Sequence, residues 1–211
     1  MHNLIEKKLS KRDFKDVLEI GAHNSEHLEY VTHAWKSYKM IDLVLPNAEV
    51  LKNLPSGASI EVANVDNLPF ENQIFDRVIV TCVLHHLTDP EKSLQEVRRV
   101  LKEGGQLDIL LPNDPGFVYR FIKYFTSNLS AIIFTKNSNS LNLSKFLEVR
   151  YAMKLFHIRE HRNHVEQLRM LVKHTFRNDI TSTNYWPFLL KSWNFGVFTI
   201  YSIKKSGQTY D

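Results

Sequence analysis

The feature that most constrains this chain is a short apolar strand that ends in a glycine and is followed, at a set distance, by an aspartate. Residues 17–20 predict a buried strand that includes Glu19, Gly21 predicts a tight turn, and residues 26–34 predict a helix. Asp42 lies 21 residues beyond Gly21, just past a second apolar run. In open α/β sheets this order places a ligand at a helix N-terminus and an acidic side chain on a ribose. The first part of the chain therefore predicts a nucleoside site.

Length, cysteine content and hydropathy limit the class of protein. The chain has 211 residues, of which 43% are apolar, so one domain with a sizeable core is expected. Its single cysteine, Cys82, excludes an internal disulfide and is typical of a reducing compartment. The sequence opens with no basic and apolar leader, and no uncharged apolar run reaches the roughly 20 residues of a membrane span. We therefore expect a cytoplasmic protein.

Charge is divided unevenly along the chain. The net charge is +4, but residues 1–114 carry 13 lysines and arginines against 18 acidic residues, whereas residues 115–211 carry 14 against 5. A basic half beside an acidic half favours an anionic partner for the second half. Nucleic acid, a nucleotide-linked or phospholipid-linked sugar and a membrane surface all fit this pattern, and so does a solvated basic surface that has no partner.

Further strands are predicted by alternating or continuous apolar runs at residues 38–43, 59–65, 77–84, 106–111, 179–185 and 197–203. The run 77–84 is rich in β-branched residues, as expected for a strand that is buried on both faces. Asp89 and Pro90 suit the N-cap and the first position of a helix, which we expect to end at Gly104 and Gly105.

Four stretches together resemble the S-adenosylmethionine-dependent methyltransferases of the Rossmann-like class (class I). They are residues 17–22, Asp42, residues 64–70 (Asn-Val-Asp-Asn-Leu-Pro-Phe) and residues 75–87, which end in His-His-Leu. The match runs from the first strand to about Asp114. It implies an α/β fold, a three-layer Rossmann-like sandwich with a mostly parallel seven-stranded sheet, an antiparallel C-terminal hairpin and a helical insertion.

The resemblance divides the single domain into three parts. Residues 1–114 are expected to form the cofactor-binding half, residues 115–178 a helical insertion or lid with the substrate region, and residues 179–211 the β-hairpin that completes the sheet. Residues 117–134, inside the insertion, are aromatic and weakly basic. They predict a helix that either rests on a membrane surface or packs on the domain.

The same resemblance implies S-adenosylmethionine as the cofactor and assigns residues to it. The expected cofactor-binding residues are Glu19, Gly21, Ala22, His23, Asp42, Leu43, Asp66, Asn67, Cys82 and His85. The family's loop reads Gly-x-Gly-x-Gly, whereas residues 21–25 here read Gly-Ala-His-Asn-Ser, with only the first glycine present. Asn24 tolerates a left-handed conformation, and the side chain of His23 is expected to crowd the cofactor.

Methyl transfer to an oxygen acceptor benefits from a general base, and a histidine has a suitable ordinary pKa of about 6.5. The candidates are His86, His161, His164 and Asp114, and a purely structural role for His85 and His86 stays open. His157, His161 and His164 recur at helical spacing within residues 145–176, which predict mostly helix. A metal is not expected there, because no cysteine and few carboxylates lie nearby.

The leading hypothesis is a methyltransferase that acts on a small-molecule or saccharide acceptor, anionic in view of the basic second half, with a place in cell-surface polysaccharide biosynthesis. Nucleic acid is not expected, since no aromatic and basic motif of an RNA-binding module is present. The alternative is a binding or regulatory protein that kept the fold and lost turnover. A nicotinamide-dependent oxidoreductase fits less well, because the full Gly-x-Gly-x-x-Gly fingerprint is absent.

Overall fold

The computed structural model describes residues 2–6, 9, 12–114, 116–121, 124, 162–187, 192 and 195–207. Seven strands form one sheet: β1 (Asp16–Ile20), β2 (Ser37–Asp42), β3 (Ala58–Val62), β4 (Phe75–Thr81), β5 (Leu101–Pro112), β6 (Ile180–Trp186) and β7 (Phe198–Lys204). Their order across the sheet is β3-β2-β1-β4-β5-β7-β6. The first five strands are parallel, and β7 pairs antiparallel with both β5 and β6. The predicted fold class, including the antiparallel C-terminal hairpin, is confirmed.

The α-helices that the structure bounds are α1 (Asn3–Glu6), α2 (Ala48–Lys52), α3 (Pro90–Val100) and α4 (Val165–Phe176). The predicted start of α3 is confirmed: the side chain of Asp89 accepts a hydrogen bond from the backbone N–H of Lys92, and Pro90 occupies the first turn. α4 begins after His164, whose side chain accepts from the backbone N–H of Glu166 at 3.2 Å.

The core lies on both faces of the sheet. On one face, α3 and α4 cover strand residues such as Leu18, Val80 and Ile109, which are at most 2% exposed. The other face is covered by Leu9, Phe14 and residues 28–35, which pack in a second apolar cluster around Met40. The polar face of α3 stays in solvent, as its spacing of apolar residues requires.

Two predicted helix bounds are wrong. Residues 26–34 form no α-helix, and the structure has only a short 3₁₀ turn at Leu28–Tyr30. Residues 23–27 are turns, and the backbone of His23 and Ser25 is left-handed, which is incompatible with a helix that starts there. α3 ends at Val100 rather than at the two glycines, because β5 begins at Leu101 and pairs there with β4.

The predicted lid is only partly covered by the described residues. Residues 117–121 are helical, and the rest of 117–134 apart from Tyr124 lies outside the described residues, as do His157 and His161. In the part of the chain that the structure describes, no helix is both long enough and apolar enough to cross a lipid bilayer.

Candidate functional site

The carboxyl ends of the five parallel strands meet along one edge of the sheet. This edge carries Gly21 after β1, Asp42 at the end of β2, Asp66 after β3, Cys82 after β4 and Asn113 after β5. Open α/β sheets bind ligands at this edge. The topology therefore brings the sequence-predicted residues of the first half to one place.

The loop that follows β1 keeps a glycine-like backbone without the glycines. Gly21, His23 and Ser25 have φ values of 75°, 48° and 61°. These are the three positions at which the family's loop has glycine, and only glycine adopts such values without strain. Asn24, which the sequence suggested as the left-handed residue, is not among the residues with positive φ.

The predicted crowding of the cofactor by the side chain of His23 stays a prediction. Its side chain is 72% exposed, and its ring nitrogen Nδ1 lies 3.3 Å from Glu26 Oε1 in the same loop. The imidazole therefore points into solvent, and it is the backbone of His23 that faces the end of β2.

Asp42 ties this loop to the second strand. Its Oδ2 accepts a hydrogen bond from the backbone N–H of His23 at 2.9 Å, and its Oδ1 accepts from the backbone N–H of Leu43 at 2.7 Å. Oδ1 also accepts, at 3.4 Å, from the backbone N–H of Val44, so Oδ2 is the oxygen that retains capacity for a ligand hydroxyl. The side chain of Leu43 is 68% exposed beside it, where an apolar ring system would find a surface.

The absence of a side chain at Gly21 lets the loop approach the segment after β4. A Cβ built on Gly21 would lie 2.2 Å from Val83 Cγ2. The backbone N–H groups of Gly21 and Ala22 both donate to Ile41 O, at 2.9 and 3.2 Å, which joins the turn to β2. Ala22 is 2% exposed. Any larger residue at 21 would push these strand ends apart.

The turn after β3 is held in place by α3. Ser93 Oγ lies within hydrogen-bond distance of both Asp66 Oδ1 and the backbone carbonyl of Asp89, and its single O–H donates to one of them at a time. The side chain of Asn64 accepts from the backbone N–H of Asp66 at 3.0 Å, and Asn67 is exposed next to it. Asp66 thus presents its carboxylate at the sheet edge from a fixed turn.

The two histidines after β4 differ in exposure. The rings of His85 and His86 lie 3.9 Å apart between centroids, but His85 is 5% exposed whereas His86 is exposed. The carbonyl of His85 accepts from the backbone N–H groups of Arg162 and Asn163, at 2.9 and 3.2 Å. Asn163 Nδ2 donates to Leu84 O and Leu87 O. The segment before α4 therefore anchors this histidine turn.

Cys82 and Glu19 are enclosed rather than presented to solvent. Burial raises the pKa of the Cys82 thiol to about 12, so it is protonated at neutral pH and is no nucleophile. Glu19 is 1% exposed, and its Oε2 accepts from the hydroxyl of Tyr38 at 2.9 Å. Burial raises the pKa of Glu19 to about 7. Their assignments as cofactor-binding residues stay predictions.

The remaining catalytic candidates are only partly brought together. Asp114 follows β5 at the sheet edge and is half-buried. His164 is the N-cap of α4 and does not lie on a helix face, so its predicted place within a helix is wrong. His161 falls outside the described residues. Within the described ranges, no group of three or more His, Cys, Asp or Glu side chains is arranged to hold a metal ion.

Sequence reasoning missed Asn113, the first residue after β5. It is fully buried, and its Oδ1 accepts from Thr199 Oγ1 at 2.6 Å. Its Nδ2 has no hydrogen-bond partner in the part of the chain that the structure describes, and a Cβ built on Gly196 would lie 3.0 Å from it. Its only sequence signal is a polar residue at the end of an apolar strand.

A buried ionic network behind the loop was also missed. Glu6 Oε1 accepts from Arg77 Nη2 at 2.7 Å and from His27 Nε2 at 2.9 Å. Arg77 Nε donates to Asp108 Oδ2 at 3.0 Å, and its Nη1 lies 2.6 Å from His33 Nε2. All five side chains are at most 4% exposed. These partners lie far apart in sequence, so no local spacing could have revealed them.

Comparison with known proteins identifies the first half of the chain. A family model described as a methyltransferase domain matches residues 18–109. An uncharacterized protein of Methanocaldococcus jannaschii is 26% identical over 215 residues, which cover 96% of this chain and 82% of that protein. The mitochondrial 2-methoxy-6-polyprenyl-1,4-benzoquinol methylase of Caenorhabditis elegans is 39% identical over 72 residues. That alignment covers 34% of this chain and only 25% of the methylase.

The fold is shared with solved structures. One is an S-adenosylmethionine-dependent methyltransferase of Thermotoga maritima, described as a possible histamine N-methyltransferase. It superposes with a TM-score of 0.60 at 18% identity, covering 97% of this chain and 88% of that one. At this identity the likeness concerns the fold.

Proposed function

The chain belongs to the S-adenosylmethionine-dependent methyltransferases of the Rossmann-like class, and from that premise we propose that it transfers a methyl group to a small, anionic acceptor that presents an oxygen. The observation that carries the proposal is the loop after β1. Its positive φ values at Gly21, His23 and Ser25, with the hydrogen bond from the backbone N–H of His23 to Asp42, support a nucleoside site at this loop.

The residues at the sheet edge fit the cofactor. Because Gly21 has no side chain, the cofactor could approach the backbone of Gly21 and Ala22 closely. Asp42 would accept hydrogen bonds from the ribose hydroxyls. Asp66 would accept a hydrogen bond from the adenine amino group, and Leu43 would pack against the adenine ring. When bound, S-adenosylmethionine supplies an activated methyl group on a sulfonium. The protein's task is then to hold an acceptor atom in line with that methyl.

The acceptor class is inferred from this chain's own second half. The family model stops at residue 109, before the predicted substrate region, and therefore does not bear on the acceptor. Arg120 and Arg162 are exposed on segments that follow β5 and precede α4, at the carboxyl edge of the sheet. They would meet a phosphate or carboxylate, which supports a nucleotide-linked or lipid-phosphate-linked saccharide of the kind used for cell surfaces.

Two side chains would handle the acceptor oxygen. Exposed His86 would take its proton, since an imidazole nitrogen is a common general base. The free amide N–H of buried Asn113 would donate to it, because an unmade bond of a buried donor is costly. Asp114 and His164 stay candidates for the same role at the rim.

An acceptor assay with a base variant tests this proposal. The purified chain is incubated with S-adenosylmethionine and UDP-glucose, glucose or 1,4-dihydroxynaphthalene, and S-adenosylhomocysteine is measured by mass spectrometry. We expect turnover with the nucleotide sugar and little with free glucose. His86→Ala should lower turnover by about 10²–10⁴. His174→Ala, an exposed histidine further along α4, is the matched control and should not change it.

Other outcomes would redirect the proposal. Turnover with the dihydroxyarene alone would replace the anionic saccharide by a quinol, the substrate class in the name of the Caenorhabditis relative. Cofactor binding without turnover on any acceptor would favour a binding or regulatory protein that kept the fold. Full activity in His86→Ala would exclude that histidine as the base.

A further inference from the structure

We propose that Glu6 is a positioning residue: from the N-terminal helix α1 it fixes the far end of the cofactor loop, residues 22–30, through a buried bond to His27. The inference rests on the proposed function, because it concerns the loop that would bind S-adenosylmethionine. Glu6 would not touch the cofactor itself.

Glu6 joins three separate parts of the chain in the interior. It is 1% exposed, and one of its oxygens, Oε1, accepts from His27 Nε2 at 2.9 Å and from Arg77 Nη2 at 2.7 Å. Arg77 lies on β4 and pairs with Asp108 on β5. The loop is therefore connected through Glu6 to two central strands of the sheet.

α1 holds the loop at a second point as well. His2 Nδ1 lies 2.8 Å from His27 Nδ1, and the ring of His2 stacks on Tyr30 at 5.3 Å between centroids. Ile5, between these polar contacts, packs on the other side of the site against Leu110 and Cys82. The helix thus bridges the segment after β1 and the segment after β4.

The loop needs such an anchor because it has little regular structure of its own. Its only helical turn is the 3₁₀ turn at Leu28–Tyr30, where an α-helix was expected. Asp42 holds the near end at the backbone of His23, and Glu6 holds the far end at His27. Two carboxylates therefore set the path of a loop whose left-handed residues, His23 and Ser25, would relax if it came loose.

Burial makes these bonds difficult to replace. Desolvation alone would raise the pKa of Glu6, but the hydrogen bonds from His27 and Arg77 outweigh it and lower that pKa to about 2. The carboxylate is therefore ionised at neutral pH. Its removal would leave the buried Nε2 of His27 without its acceptor, while Arg77 would keep Asp108 as a partner, and the loop would gain the freedom to move away from the sheet.

The test compares cofactor affinity in the full chain for Glu6→Ala, Glu6→Gln, His27→Ala and the double variant. We expect Glu6→Ala to weaken S-adenosylmethionine binding at least tenfold in calorimetry, with Glu6→Gln intermediate, because its amide oxygen can still accept both bonds but carries no negative charge. The double variant should bind S-adenosylmethionine about as tightly as whichever single variant binds it more weakly, because both substitutions remove the same hydrogen bond.

Asp179→Asn is the matched control for loss of stability. Asp179 is 2% exposed and pairs with Arg98 at 2.7 Å, but it lies at the opposite edge of the sheet, next to the start of β6. The Asp179→Asn substitution should lower the melting temperature of the protein while leaving its affinity for S-adenosylmethionine unchanged. Equal weakening of binding in this variant, or unchanged affinity in folded Glu6→Ala, would overturn the positioning role.

Amide hydrogen exchange separates this inference from the proposed function. If the wild-type chain bound no S-adenosylmethionine, the methyltransferase proposal would fail by itself. Glu6→Ala should still speed exchange across residues 22–31 in the free protein, whereas Asp179→Asn should not. Unchanged exchange in that loop would overturn the positioning role whatever the cofactor result.

Discussion

His23 and Ser25 hold left-handed backbone conformations that side chains usually avoid. The loop tolerates them because its path is set from outside, by the Asp42 carboxylate at His23 and by two bonds from residues 21 and 22 to Ile41 O. At the scale of single residues, the site therefore keeps the shape of a glycine loop while storing some backbone strain in it.

Substituting glycine at position 23 should relieve part of this strain. The left-handed conformation costs a non-glycine residue about 1–2 kcal/mol, partly offset by the greater unfolded-state entropy of glycine. We expect His23→Gly to raise the free energy of unfolding by about 0.5–1 kcal/mol in urea titrations, since its exposed contact with Glu26 contributes little. Asn24→Gly, at a residue without positive φ, should lower it. Equal destabilisation by both would contradict the strain argument.

At the scale of elements, the histidine turn after β4 depends on the segment that precedes α4. Asn163 bonds two carbonyls of that turn with its amide, and its backbone N–H together with that of Arg162 bonds the carbonyl of His85. Residues 162 and 163 therefore bond the turn that carries the base candidate, His86.

Asn163→Ala should test that connection. It removes two hydrogen bonds to partly buried carbonyls, and we expect the free energy of unfolding to fall by about 1–3 kcal/mol. Turnover should fall further than cofactor affinity, because the turn that carries His86 loosens while the β1 loop is untouched. The exposed Arg162 side chain contacts Thr88, so Arg162→Ala should change stability by no more than about 0.5 kcal/mol. Unchanged stability and turnover in Asn163→Ala would exclude a role for the Asn163 hydrogen bonds in holding this turn.

The strands are readable from the sequence because their apolar patterns are local. The apolar runs before Gly21, Asp42 and His85 and the alternating C-terminal pair all become strands of the sheet. The helix expected at 26–34 does not form, since its first residues turn sharply and His27 bonds Glu6 in the interior. Which residue takes a left-handed conformation, or pairs across the fold, depends on contacts that no local pattern encodes.

At the scale of the whole molecule, several ionisable side chains are buried against one face of the sheet. Arg77 is fully buried between Glu6 and Asp108, and Glu19 lies on the neighbouring strand with Tyr38. Buried ion pairs of this kind add less to stability than their attraction suggests, but losing one partner is costly. We therefore expect the stability of the fold to depend on pH through these carboxyl groups.

The Glu19→Gln variant should isolate the contribution of Glu19 to the pH dependence of stability. Burial raises the pKa of Glu19 from 4.5 to about 7, so the folded state favours the protonated acid. That contribution is fully present below about pH 4.5 and is lost as pH rises through about 7, because the unfolded chain ionises first. Relative to wild type, the variant should therefore gain about 3 kcal/mol of unfolding free energy as pH rises from about 4.5 to 8. Urea titrations at several pH values would show this trend.

The lowered pKa of Glu6 has the opposite sign and serves as the comparison. Its stabilising contribution is present above about pH 4.5 and is lost as pH falls toward about 2. The deficit of Glu6→Gln relative to wild type should therefore shrink in acid, whereas the gain of Glu19→Gln appears toward neutral pH. If the difference in unfolding free energy between Glu19→Gln and wild type stayed constant with pH, folding would not raise the pKa of Glu19, and the residue would be ionised in the folded state at neutral pH.

The central claim is that the loop after β1 and the aspartate after β2 form a working S-adenosylmethionine site. Calorimetric titration of the purified chain with S-adenosylmethionine and S-adenosylhomocysteine tests it most directly. We predict saturable binding of both ligands, weakened by about 1–3 kcal/mol or more in Asp42→Ala, which removes the hydrogen-bond partner of the ribose hydroxyls. Absence of binding in folded wild-type protein, or unchanged affinity in Asp42→Ala, would contradict the account.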